Sequence, residues 1–295
     1  MGYAWSQQDE SVGAGFIRIT SEQIAKAILY ADAVGDPPAE RIHSARRRCK
    51  RLRGLFRLVR RDFPACRAAN AAVRDAADHL SAVRDASVMR ETLVRLYEWA
   101  GHDVPGGLEI EPADPAAEET ALQVFRAEMS DLLGKVDGWK AGKIDEKTLA
   151  HGFGRCYGKA AEAGARCRKH PTDHAFHDWR KLVKYHAFQS ILLKPCLADS
   201  ERSLLEPVEE LADVLGKHHD LAVLTQTVHD APEQLGVEID PAFVAINAGL
   251  LQERLAARAF RLADRVFARP PKAVRDNIEV RWRSWWHPAA KTEPA

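Results

Sequence analysis

A chain of 295 residues, 46% hydrophobic and 29% charged with a net charge of +1, is long and apolar enough to bury real cores, which excludes a disordered protein. No stretch approaches the roughly 20 apolar residues of a membrane span, and the polar stretch from Met1 to Gly15 lacks an apolar run of signal-peptide length. The five cysteines (Cys49, Cys66, Cys156, Cys167, Cys196) form no CxxC pair or zinc-like spacing, which argues against a disulfide framework and for a reducing, cytosolic setting.

Strand signals are scarce, and most of the chain reads as Ala-, Leu- and Arg-rich helix with apolar residues three and four apart, so the expected fold is all-α. Residues 1–15 are expected to be a polar tail. A first helix is predicted from about Thr20 to Val34, capped by Thr20 or Ser21 and stopped at Gly35-Asp36-Pro37-Pro38. A second is predicted from about Glu40 to Asp62, ending before Pro64, and a third from Cys66 to Ala100 with a break near Arg84-Asp85. Gly101 to Pro115 reads as an acidic loop rich in Pro and Gly. Helices resume at about Ala116–Trp139, Glu146–Lys169, Asp173–Leu193, Glu201–His229 and Pro241–Ala268. Near the C-terminus Trp282, Trp285 and Trp286 form a cluster suited to sealing one end of the fold, before a tail at 289–295.

Charge is segregated along these elements. Arg41 to Arg61 carries ten Lys or Arg residues and no acid, whereas Gly101 to Asp131 carries eight acids and Arg126 alone among Lys and Arg. Opposed blocks of this kind support a focused local field.

An internal repeat organises the chain. Ile42-His43-x-x-Arg46-Arg47-x-x-Lys50 matches Phe176-His177-x-x-Arg180-Lys181-x-x-Lys184 at an offset of about 135 residues. At almost the same offset Ala77-Asp78-His79-Leu80 through Arg84-Asp85 matches Ala212-Asp213-Val214-Leu215 through His219-Asp220, and Phe125-Arg126 matches Phe260-Arg261. The first helix has no convincing partner near Gly152 to Ala163. The halves are drawn at 16–145 and 146–288.

In the second helix Ile42, Ala45, Cys49, Leu52, Phe56, Val59 and Phe63 recur at alternating spacings of three and four, a buried seam. One residue on, His43, Arg46, Lys50, Arg53, Arg57 and Arg60 follow the same rhythm. One residue is about 100° of rotation, so this row borders the core and runs about 25 Å along the helix. No acid is interleaved at i+3 or i+4 to relieve the repulsion, so an external anion would. The second half keeps His177, Arg180, Lys181 and Lys184, and the last long helix adds Arg254, Arg258, Arg261 and Arg265. Arg outnumbers Lys about two to one, and guanidinium groups fork onto phosphate oxygens.

His-x-x-Arg-(Arg/Lys)-x-x-Lys followed by Leu-x-x-x-(Arg/His)-Asp, occurring twice in a helical chain, resembles the CHAD domain family, over about Phe16 to Pro288. The second copy departs at Tyr185, His186 and Ala187, where basic residues are more usual. The resemblance implies two long-helix bundles related by a pseudo-twofold around a basic central channel. It implies binding of inorganic polyphosphate rather than catalysis, with no cofactor or metal, and an association with polyphosphate granules. The Glu-x-Glu-x-Lys strand of the CYTH domain that accompanies many relatives is missing: Glu109-Ile110-Glu111 runs into Pro112 and Ala113.

His43 and His177 suit donors to a bound phosphate. Lys217-His218-His219-Asp220 looks like a metal cluster, yet adjacent helical residues point about 100° apart. Asp85 and Asp220 are expected to pair with the arginine rows. Cys49, in the seam, is expected to be inert. The rival readings are a nucleic-acid-binding protein, which would want exposed aromatics among the cations, and a phosphate-transfer enzyme using His43 or His177.

Overall fold

A computed structural model describes residues 3–33, 35–82, 85–106, 114–235 and 239–286. Every α-helix or strand assigned among them is a helix: α1 (Val12–Ala31), α2 (Pro38–Val59), α3 (Cys66–Ala82), α4 (Asp85–Ala100), α5 (Pro115–Val136), α6 (Glu146–Lys169), α7 (Asp173–Leu193), the single turn α8 (Asp199–Arg202), α9 (Leu205–Asp230), α10 (Pro241–Val266) and α11 (Pro271–Trp286). The fold is all-α. Among the described residues no helix is long and apolar enough to cross a membrane.

The ends of α6 and α7 follow from capping chemistry. The Asp145 carboxylate accepts from the Thr148 backbone N–H at 2.7 Å while the Thr148 hydroxyl lies 3.3 Å from the Asp145 N–H, a reciprocal capping box. Thr172 caps α7 by accepting from the Ala175 N–H. The first helix begins eight residues earlier than Thr20, because Ser11 rather than Thr20 or Ser21 caps it, accepting from the Ala14 N–H. The expected polar tail is packed: Tyr3 and Trp5 are buried. The Tyr3 hydroxyl donates to the Arg51 carbonyl at 2.7 Å, and the Trp5 indole donates to the Val12 carbonyl at 3.0 Å.

The seam of α2 is buried from Ile42 to Phe63, as its spacing requires. α2 lies at the centre, touching α1, α3, α5, α6 and α7. The approach to α6 is close: a Cβ on Gly152 would overlap the Leu58 carbonyl. α1 packs on α2, α2 on α3 and α3 on α5, and in the same order α6 packs on α7, α7 on α9 and α9 on α10. α6 therefore takes the place of α1 in the second half, although the sequence match between them has been lost.

α3 ends at Ala82 and α4 begins at Asp85, while α9 runs unbroken through His219-Asp220. The expected break near Arg84-Asp85 falls at residues 83 and 84, outside the described residues, as does the side chain of Asp85. α4 packs on the other half, with Leu93 and Leu96 against Leu221, Leu224 and Val244. The main core also spans both halves, joining Phe16, Phe56 and Phe125 to Leu149, Phe153, Ile278 and Trp282. Trp282 meets Trp5 edge to face at 5.5 Å, with Trp285 and Trp286 beside it, so the C-terminal cluster seals the end against the N-terminal segment. The 289–295 tail lies outside the described residues.

Candidate functional site

α2 and α7, the two helices that carry the repeated motif, pack against each other. The Gln189 amide of α7 donates to the Gly54 carbonyl of α2 at 3.1 Å, which fixes their crossing. α4 and α9 close the space to one side of the pair, and the four helices enclose a cavity of about 690 Å³. α2 contributes His43, Arg46 and Lys50, and α7 contributes Arg180 and Lys184. α4 gives an apolar wall of Val88 and Met89 with Thr92. α9 gives Asp213, Gly216, Lys217, His219, Asp220, Val223 and Thr227, which fall on one face of the helix. Five permanent cations face two carboxylates, before the histidines are counted.

The interior sharpens this field. Burial holds the Arg180 guanidinium below its ordinary pKa, with Asp220 acting in the opposite sense, and its Nε is buried without a hydrogen-bond partner among the described residues. Asp220 acts on Arg180 through its charge alone and forms no ion pair among the described residues, against the expectation that it pairs with the arginine row. Arg46 is fixed by bonds to the Ala77 carbonyl at 3.1 Å and to the Ser81 hydroxyl, so its charge is held at the wall rather than swinging in solvent. Gly216 keeps the α9 wall low: a Cβ there would sit 3.9 Å from the Lys184 Nζ.

His177 stands one layer behind the lining, its ring 4.5 Å from that of His219. Burial first, then Arg180, His177 and Lys184, push the His219 pKa down to about 4. Burial and the charges of Lys181 and Arg180 also lower His177, whose Nδ1 is buried without a partner among the described residues. Both imidazoles are neutral near pH 7, first because they are buried and then because their neighbours are cationic. An anion in the cavity would oppose the second of these effects. His218 points away from its neighbour, stacking on Phe176 at 3.9 Å, so the two adjacent histidines do not converge on one ion. The Cys49 thiol, buried in the seam, is pushed up to about 12 by desolvation, against the pull of Arg46, Arg53 and Lys50.

Of the residues expected at the site, His43, Arg46, Lys50, Arg180 and Lys184 line the cavity. Others are placed elsewhere by their own helix geometry. Arg53 turns to α3, its Nε donating to the Asn70 side-chain oxygen Oδ1 at 3.4 Å. Arg57 lies farther along the α2–α7 contact, 4.1 Å from the Tyr185 ring centroid. Arg47 lies toward α1, where its charge acts on Tyr30. Lys181 is exposed and bonds Asp178 at 3.3 Å. The α10 row does not reach the cavity: Arg254 stacks on Trp99 at 5.0 Å, Arg258 bonds Glu210 at 2.7 Å, and Arg261 and Arg265 are exposed outside the lining. Sequence reasoning missed Lys217 and His219 as lining residues, having weighed them only as metal ligands. The spacing of Asp213, Lys217, Asp220 and Thr227 on one helical face was the available signal.

Known proteins agree with this architecture. A solved structure, PptA from Streptomyces chartreusis, matches with a TM-score of 0.52 at 17% identity, over 93% of this chain and 100% of that one, a likeness of fold. No curated protein matches the chain. The family model for the CHAD domain matches residues 18–229, most of the chain and every charged wall of the cavity, and the protein belongs to the CHAD domain family.

Proposed function

We propose that the chain binds inorganic polyphosphate in the α2–α4–α7–α9 cavity and does not turn it over. The observation that carries this reading is the convergence of Arg46, Lys50, Arg180, Lys184 and Lys217 from three helices on one space of about 690 Å³. Membership of the CHAD family supports the same ligand. His43, Asp213, Lys217 and Val223 of the lining are exposed to solvent, so a polymer can enter by one segment and extend outward. No Phe, Tyr or Trp is in the lining among the described residues, which favours a ligand without bases over single-stranded nucleic acid. Recruitment to polyphosphate granules follows as the cellular role.

Calorimetric titration with polyphosphates of increasing length tests this, with ATP and DNA as competitors. Affinity is expected to rise with chain length, ATP to compete poorly, and log affinity to fall steeply with log salt as counterions are released. Arg180→Glu with Lys184→Glu should lower affinity about thirtyfold or more, by analogy with loss of buried charge pairs (about 2–5 kcal/mol), and should abolish granule co-localisation in cells. Equal affinity for ATP and a long chain would sink the polymer reading. Phosphate release or phosphohistidine formation by the wild type would sink the non-enzymatic one.

A further inference from the structure

On the α1 side of α2 lies a second cationic surface outside the cavity. Arg48 reaches across to α1, its Nη1 donating to the Gln23 side-chain oxygen at 3.2 Å and its Nη2 to the Tyr30 hydroxyl at 3.3 Å. Its guanidinium lies 5.3 Å from the Tyr30 ring centroid. Arg51, one turn on from Arg47, stacks 5.2 Å from the Tyr3 ring. The charges of Arg48, Arg47 and Lys26 all act on Tyr30 and lower its phenol pKa. Burial, then Arg48 and Arg47, lower the pKa of Arg51. These groups therefore form one electrostatic cluster.

No carboxylate lies within ion-pairing distance of Arg47, Arg48 or Arg51 among the described residues, although acids and bases are nearly equal in number over the chain. The acid within α1, Glu22, is engaged by Arg18 at 3.0 Å, and Asp32 at its end by Arg126 at 3.5 Å. Elsewhere many exposed arginines have a carboxylate partner, as Arg258 has Glu210 and Arg168 has Asp264. The Nε of Arg51 is buried without a hydrogen-bond partner among the described residues. Arg48 and Arg51 are thus held by tyrosine rings and a glutamine beside the exposed Arg47, and no carboxylate among the described residues pairs with any of the three.

We infer that this α1–α2 face is a second phosphate-chain site, at which Arg47 and Arg48 grip the part of a long polymer that overhangs the cavity. The inference rests on the polyphosphate reading of the cavity. Arg47 and Arg46 are consecutive on α2, so the two sites share one helix and a single chain can engage both. The second contact is then intramolecular and is governed by effective concentration rather than by its own weak affinity. Arg51, its guanidinium stacked on Tyr3, supports the charge from behind.

The test compares three proteins, wild type, Arg47→Glu with Arg48→Glu, and Arg180→Glu with Lys184→Glu, against short polyphosphate, long polyphosphate and single-stranded DNA. Melting curves confirm folding, and Arg47→Ala, at a solvent-exposed position, covers the case in which the double face variant unfolds. The face variant should bind the short chain like wild type and the long chain on the order of tenfold more weakly, with a shallower salt slope. The cavity variant should lose the short chain and keep weak long-chain binding, which the added face substitutions remove. Unchanged long-chain affinity and slope in the face variants would overturn the second site. Short-chain binding that survives in the cavity variant would instead overturn the cavity reading and leave the face as the phosphate site. Preference of the face for DNA over long polyphosphate would overturn the choice of polymer.

Discussion

At His219 and His177 the protein and its ligand ask opposite things of a proton. In the free protein burial and the surrounding Arg180, Lys184 and Lys181 charges lower both imidazoles, His219 to about 4, although Asp220 and Asp213 stand in the same wall. An unfolded imidazole takes its proton near 6.5. Between that value and the folded one the unfolded chain binds more protons, so stability falls as pH falls through the window. His186, pushed to about 3 by burial, and His218, also lowered by burial, add to this loss. A polyanion in the cavity raises the pKa of His219, so affinity should grow as pH falls, with proton uptake on binding. The free protein should therefore melt lower at pH 5 than at pH 7, while the increase in Tm given by polyphosphate becomes larger. His219→Asn should flatten the ligand effect and leave the His186 and His218 part of the acid loss in place. Titration in buffers of different ionisation enthalpy counts the protons, and pH-independent affinity would show that these rings do not feel the ligand.

Among the elements, α4 carries two duties. Its inward face presents Val88, Met89 and Thr92 to the cavity and, next to them, buries Met89, Leu93 and Leu96 against α9 and α10. Leu93→Ala should cost about 2–5 kcal/mol of stability and also weaken polyphosphate binding by loosening that wall. Leu122→Ala, equally buried but in the main core, should lower stability without changing affinity. Denaturant melts with a parallel binding titration separate the two, and equal affinity in both variants would detach α4 from the site. The helices themselves were largely legible: the expected Glu146–Lys169 and Asp173–Leu193 match α6 and α7, whose starts are set by Asp145, Thr148 and Thr172. The start of α1 was not, because residues 1–15 read as a polar tail. Gly13 and Gly15 within that stretch serve close contacts, since a Cβ at Gly13 would overlap the Ala141 carbonyl and one at Gly15 would come within 2.6 Å of the Asp9 carboxylate. The cavity was half legible for a related reason. Spacing reveals which residues share a helical face, as with His43, Arg46 and Lys50, but not which faces meet. The α10 arginines share a face as regular as that of α2 and point elsewhere, while the α9 wall was hidden among residues weighed for other roles.

The whole molecule is braced across its two halves, by the common core, by α4 lying on α9 and α10, and by the cavity, whose walls come from both. A fourth brace brings the two described extremities of the chain together: Trp5 packs on Trp282, and the Gln7 side chain bonds the Trp285 carbonyl. Adjacent extremities mean that the linear order of the halves is not what the fold depends on. Circular permutation should therefore be tolerated. Residues before Tyr3 and after Trp286 can be joined by a short flexible linker, whose closure entropy grows only slowly with length, and the chain reopened between the exposed Gly142 and Lys143 in the turn linking α5 to α6. The permuted protein, with its second half now synthesised first, should melt within a few degrees of the parent and bind polyphosphate equally well. A permutant that is insoluble or unfolds in two separate steps would show that the Trp5–Trp282 junction must form between free ends.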